Sequence, residues 1–144
     1  MVHGIRLAAL AGNIWPHANE NYIDIIVDEL LTEIVIFAVH SRRYLELTKI
    51  VGVKLEGSLF VLAPEARTAE YETDLWDAIN RVIHSRRMSV FTVERDSLRF
   101  PNLGDRVIAH IEVQSDRGDA VLICPTALVH ALLSASRTSH LGAV

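Results

Sequence analysis

The chain has one cysteine in 144 residues, Cys124, which excludes an internal disulfide; without a second thiol, a zinc ribbon or finger is excluded too. That cysteine usage fits a reducing compartment, and a cytoplasmic protein of bacterial style is expected. Long apolar runs are missing as well. The longest, "IVIFAV" at Ile34 to Val39, is far short of the ~20 residues a spanning helix needs, so no membrane insertion is expected. The start of the chain, "MVHGIRLAALAGNIW", has one Arg placed after the first apolar residues and no convincing cleavage site, unlike a secretory leader. Basic residues do not dominate. A formal charge of −4 argues against binding nucleic acid with the whole surface, although a local basic patch remains compatible with it.

Recognisable site motifs are also missing. There is no G-x-G-x-x-G, no Walker loop and no G-x-S-x-G elbow. The seven histidines form no His-x-x-x-His pair, so neither a metal nor another cofactor is expected. Aromatic residues make up 6% of the chain and form no series like that of an RNA-binding sheet. Cys124, just before Pro125 at the end of an apolar run, reads as a small buried hydrophobe rather than a nucleophile.

Half the residues are hydrophobic, enough for one ordinary core, and the chain reads as a single domain over 1–136 with a loose tail over 137–144. Gly4, Gly12 and Pro16 predict a short helix or arm and then a turn at "NIWPHAN". Asn19 or Asn21 caps a helix over about 20–47, with Tyr22, Ile23, Ile26, Leu30, Ile34, Phe37 and Ala38 at helical spacing. Asp24, Asp28, Thr32 and Glu33 take much of the opposite face. The β-branched residues of 34–39 make a strand there the local rival. "VKLEGSLFVLAP" suggests a short hairpin or an irregular connection. A second helix follows over 66–84, or from Thr73 or Asp74 if it starts late, with Leu75, Ile79, Val82 and Ile83 as its core stripe.

Beyond Arg87 the apolar period changes from 3.6 to 2. "MSVFTVER", "RVIAHIEVQ" and "DAVLIC" read as three strands, with Val107, Ala109, Ile111 and Val113 on one face and "SDRGD" as the last turn. Thr126 caps a final helix. The expected class is α+β: antiparallel helices packed with a small three-stranded antiparallel sheet.

The tetrad His-Ser-Arg-Arg occurs twice, at 40–43 and 84–87, after "LTEIVIFAV" and "LWDAINRVI". The likeness stops there, so it is not a structural repeat. Basic groups at a helix C-terminus complement the negative end of its dipole, which accounts for both copies structurally. The second copy adds chemistry. Asn80 and His84 are one turn apart, with Trp76 a turn below, and Asp77 lies a turn from Asn80 and Arg81. A carboxylate, an amide, an imidazole and the guanidinium groups of Arg81, Arg86 and Arg87 thus gather near one helix end, where a histidine can act as a general acid or base. The alternative is a buried Asn80–His84 pair that fixes packing.

"INRVIH" resembles the signature helix of the HEPN superfamily, whose RNase members carry an Arg, then a polar residue, often Asn, and a His four to six positions after the Arg. Asn80 matches the polar residue and His84 the histidine; Ile79 stands where the Arg would be. An Arg there would stabilise a phosphorane-like transition state, and an Ile cannot. The resemblance therefore implies a non-catalytic HEPN-like regulatory or interaction protein. The all-round apolar "IVIFAV" adds self-association as a homodimer, with a further protein partner also compatible. The alternative is a metal-independent RNase, or a nucleotide- or RNA-binding protein, using His84 as acid or base with Asn80, and Arg81, Arg86, Arg87 and Trp76 as binding residues.

Overall fold

The computed structural model of the chain describes residues 2–12, 14–16, 20–59, 69–96, 104–116 and 118–141. In order these form α1 (Val2–Gly12), β1 (Ile14–Pro16), α2 (Glu20–Thr48), a 3-10 turn (Gly57–Leu59), β2 (Glu70–Tyr71), α3 (Leu75–Ile83), β3 (Ser85–Asp96), β4 (Gly104–Ser115), β5 (Val121–Ile123) and α4 (Pro125–Leu141). The class is α+β. No helix among the described residues is long and apolar enough to cross a membrane.

The expected helix over 20–47 is α2, and the rival strand at 34–39 does not form. Ile26, Leu30, Ile34, Phe37 and Ala38 are buried, at the spacing that lines one face of a helix. Glu33, expected on the solvent face, is buried instead. Its Oε2 meets His3 Nδ1 of α1 at 2.9 Å and its Oε1 accepts from Arg6 at 3.2 Å, so partners from α1 offset the desolvation of the carboxylate. The first tetrad lies inside α2, which continues past Arg43 to Thr48 and has no basic residue in its last turn. The dipole explanation therefore does not hold for His40–Arg43, because Tyr44 and the buried Leu45 keep the helix going.

The late start of the second helix is the one observed. Asp74, in extended conformation, takes the N-cap position, and its Oδ1 accepts from Trp76 N at 2.9 Å and Asp77 N at 3.2 Å. Residues 69–74 are not helical. Leu75, Ala78, Ile79 and Val82 are buried, and Ile83 is half-buried.

The sheet is larger than expected and mixed: five strands rather than three antiparallel ones. The three expected strands are present, β3 antiparallel to β4 along most of their lengths and β4 antiparallel to β5. Two short strands extend them. β1 pairs antiparallel with 105–107 of β4, on the edge that β5 uses at 111–113, and β2 adds parallel to β5. Part of the expected "NIWPHAN" turn is thus strand, because Ile14–Pro16 finds an unfilled stretch of the β4 edge; Asn13 and 17–19 lie outside the described residues. "SDRGD" does connect β4 to β5, with Gly118 at φ +139°, a conformation that favours glycine.

β4 is buried on both faces at its centre: Ala109, Ile111 and Val113 on the expected face, Ile108 and His110 on the other. α4 begins at Pro125, which suits the first helical position because it needs no N–H, so Thr126 lies within the first turn rather than capping it. The helix also continues through 137–141, part of the expected loose tail. Over 49–59 the chain is an irregular connection that holds the 3-10 turn, and Lys54 forms an isolated bridge to Asp74; the rest of the expected hairpin or connection, 60–64, lies outside the described residues.

A candidate site at the end of the second tetrad helix

α3 hands the chain directly to β3 at the second tetrad. His84 is the C-cap of α3, its N–H donating to Asn80 O and Val82 O, while Ser85, Arg86 and Arg87 already belong to β3. The dipole account fits this copy. Its imidazole stands at the negative end of α3, with Arg81 in the last turn.

Asn80 and His84 share a cleft of about 280 Å³ with Glu72, Asp77, Arg81 and Ser115. Both are half-buried, and neither side chain hydrogen-bonds to a described residue, so they are not the sealed packing pair that was the structural alternative. Arg81 has a structural task. Its Nη1 donates to Ser115 Oγ and to Asp119 O, both at 3.1 Å, joining α3 to the β4–β5 turn. A Cβ on Gly118 would come within 3.3 Å of that nitrogen, so glycine serves both the positive φ and the close approach of the guanidinium.

The other expected binding residues fall elsewhere. Arg86 and Arg87 are exposed on β3 and line no part of the cleft, because the change from helix to strand redirects the chain after His84. Trp76, half-buried, has the Arg42 guanidinium 5.7 Å from its ring centroid, so a residue of the first tetrad covers it. Arg42 Nε also donates to Glu46 Oε1 at 3.0 Å. Glu72 Oε1 accepts from the backbone N–H of Thr73 and Asp74 just ahead of α3. Among the described residues the cleft thus presents an imidazole, an amide and two carboxylates, with the Arg81 cation engaged in the fold. Among the described residues no group of three or more His, Cys, Asp or Glu could hold a metal ion.

Sequence reasoning passed over His110. It is fully buried on β4, with Nδ1 3.1 Å from Tyr71 Oη of β2 and its ring 5.3 Å from Phe91 of β3. Its place in the alternation, opposite to Ala109 and Ile111, marked a second face, but the residue covering it, Tyr71, comes from a two-residue strand with no signal of its own. Cys124 is buried, with Sγ 3.3 Å from Leu59 O, as expected of a small hydrophobe. The chain matches no protein-family model, no curated protein and no solved structure.

Proposed function

We propose that this chain is a non-catalytic, HEPN-like regulatory or interaction protein that acts as a homodimer, in the cytoplasm. One observation carries the non-catalytic half. Ile79, at the place where nuclease members of that superfamily keep an Arg, is 0% exposed in the core, and the neighbouring Arg81 is committed to the β4–β5 turn. Among the described residues the cleft then has no free cation to stabilise a pentacoordinate phosphorane.

Self-association rests on the outer face of α2. The notion that all of "IVIFAV" is available to a partner gives way to a narrower surface, since Ile34, Phe37 and Ala38 are core. Ile25, Val39 and Leu47 are 58%, 51% and 74% exposed, and at 100° per residue they fall within an arc of about 80°. Glu29 and Arg43 lie on the same arc and make no ion pair with a described residue. Two copies of α2 crossing antiparallel on a two-fold axis at the half-buried Ile36 bring Ile25 opposite Leu47 and Glu29 opposite Arg43, which is the self-complementarity an isologous interface requires. Light scattering at micromolar concentration should report a dimer. Glu29→Lys should shift it towards monomer, and Glu29→Lys with Arg43→Glu should restore it. A wild-type monomer, or a dimer indifferent to both changes, refutes the pairing.

The second reading, a metal-independent RNase or an RNA- or nucleotide-binding protein, is favoured by the free side chains of Asn80 and His84 in an open cleft beside Asp77. His84 would be its general acid or base.

A further inference from the structure

A different part of the molecule, where α1, α2 and α4 meet, forms a half-open cavity of about 410 Å³, within the roughly 300–1,000 Å³ range of small-molecule sites. One side is apolar: Phe37 of α2 and Val129, Leu132 and Leu133 of α4. Gly4 closes α1 over Phe37, since a Cβ there would lie 3.2 Å from the Phe37 ring, so the close approach depends on glycine. Polar groups occupy the remainder. His3 and His40 stack in parallel with ring centroids 5.4 Å apart, and Ser41 and Tyr44 continue the lining along α2.

Two of these polar groups have no partner among the described residues. Ser41 is only 2% exposed and makes no hydrogen bond to a described residue, and the Tyr44 hydroxyl makes none either. Hydroxyls at a cavity wall that make no hydrogen bond to a described residue can donate to a bound acceptor. No Asp or Glu lines the cavity among the described residues, and the nearby Glu33 carboxylate is already engaged by His3 and Arg6. The lining thus supplies hydroxyl and imidazole donors beside an apolar wall, with no anion to attract an amine.

We propose that this cavity binds a small amphipathic monocarboxylate, its apolar body against Phe37, Val129, Leu132 and Leu133 and its carboxylate accepting from Ser41, Tyr44 and His40. A carboxylate fits because it is acceptor-only, and hydrogen bonds to a charged acceptor are stronger than neutral ones. The site stands apart from the α3 cleft and does not depend on the dimer.

Isothermal titration calorimetry of the full chain with octanoate and octylamine tests the assignment, with amide chemical shifts locating the bound molecule. Octanoate should saturate at one per chain and shift amides of α1, α2 and α4 around the cavity, while octylamine binds at least about tenfold more weakly. Ser41→Ala with Tyr44→Phe should weaken octanoate by about tenfold, and Leu133→Trp, which fills the apolar side, should abolish binding. His40 is exposed, so His40→Ala tests the polar end without disturbing the core and should also weaken octanoate. No saturable binding, equal affinity for the amine, shifts confined to other surfaces, or octanoate affinity unchanged in a folded His40→Ala or Leu133→Trp variant overturns the proposal.

Discussion

Replacing Arg81 by Met keeps an unbranched stem of similar length but removes the guanidinium that ties α3 to the β4–β5 turn. The wild-type Nη1 makes two 3.1 Å hydrogen bonds, to the buried Ser115 hydroxyl and to Asp119 O at the surface. Hydrogen bonds to charged groups contribute about 1.5–3 kcal/mol net, and water can replace the guanidinium at the exposed Asp119, so the loss is dominated by the Ser115 contact. The expected destabilisation is about 1.5–3 kcal/mol, or roughly a 3–12 °C fall in Tm for a domain of this size. Urea denaturation and a thermal melt followed by circular dichroism measure it. Hydrogen exchange adds a spatial readout: amides at 118–123 should lose protection first, because β5 is held between β4 and the two-residue β2. A loss below about 0.5 kcal/mol, the range of an ordinary surface substitution, would refute the structural role of Arg81 and return it to the list of free binding cations.

Asp74→Ala should cost about 1 kcal/mol, because it removes the N-cap acceptor for Trp76 and Asp77; chemical denaturation measures this, and a neutral result would show that the cap is dispensable. Ile79→Arg, which tests the proposed HEPN-like reading by placing an Arg ahead of Asn80, should fail to create cleavage and should instead destabilise the fold by about 3 kcal/mol or more, since it places an unpaired charge in the core. A stable Ile79→Arg protein would mean that this position can turn out to the cleft.

The elements that could be read from the sequence were those whose periodicity runs for many residues. α2 shows in the spacing of Ile26, Leu30, Ile34 and Phe37, and the Asp74 cap marks α3 once a late start is allowed. The change of period after Arg87 located β3, β4 and β5 and with them the α+β class. β1 and β2 were not legible. Strands of three and two residues carry no alternation, and they exist because β4 and β5 leave edges to fill, a tertiary fact. Glu33 was misplaced for a similar reason: its position on the helical wheel was polar, and only the docking of α1, with His3 and Arg6, makes burial tolerable. In the site, the four-residue spacing correctly put Asn80 and His84 on one cleft. The same reasoning could not separate Arg81, taken by Ser115 and Asp119, from Arg86 and Arg87, which the start of β3 carries away from the cleft. The repeated tetrad misled for a plain physical reason. One copy ends its helix, whereas Tyr44 and Leu45 extend the other past its basic residues, so identical letters occupy different backbone positions.

The claim that the second tetrad marks a helix end rather than an active site is tested most directly by incubating the wild-type protein and a His84→Ala variant with single-stranded RNA in excess chelator, with a thermal melt run on both. The account predicts no cleavage above the buffer blank from either protein, because the core Ile79 and the engaged Arg81 leave the cleft, among the described residues, without a transition-state cation. Chelator-resistant cleavage by the wild type, lost in a His84→Ala variant that melts at the same temperature, would contradict it and establish His84 as a catalytic acid or base.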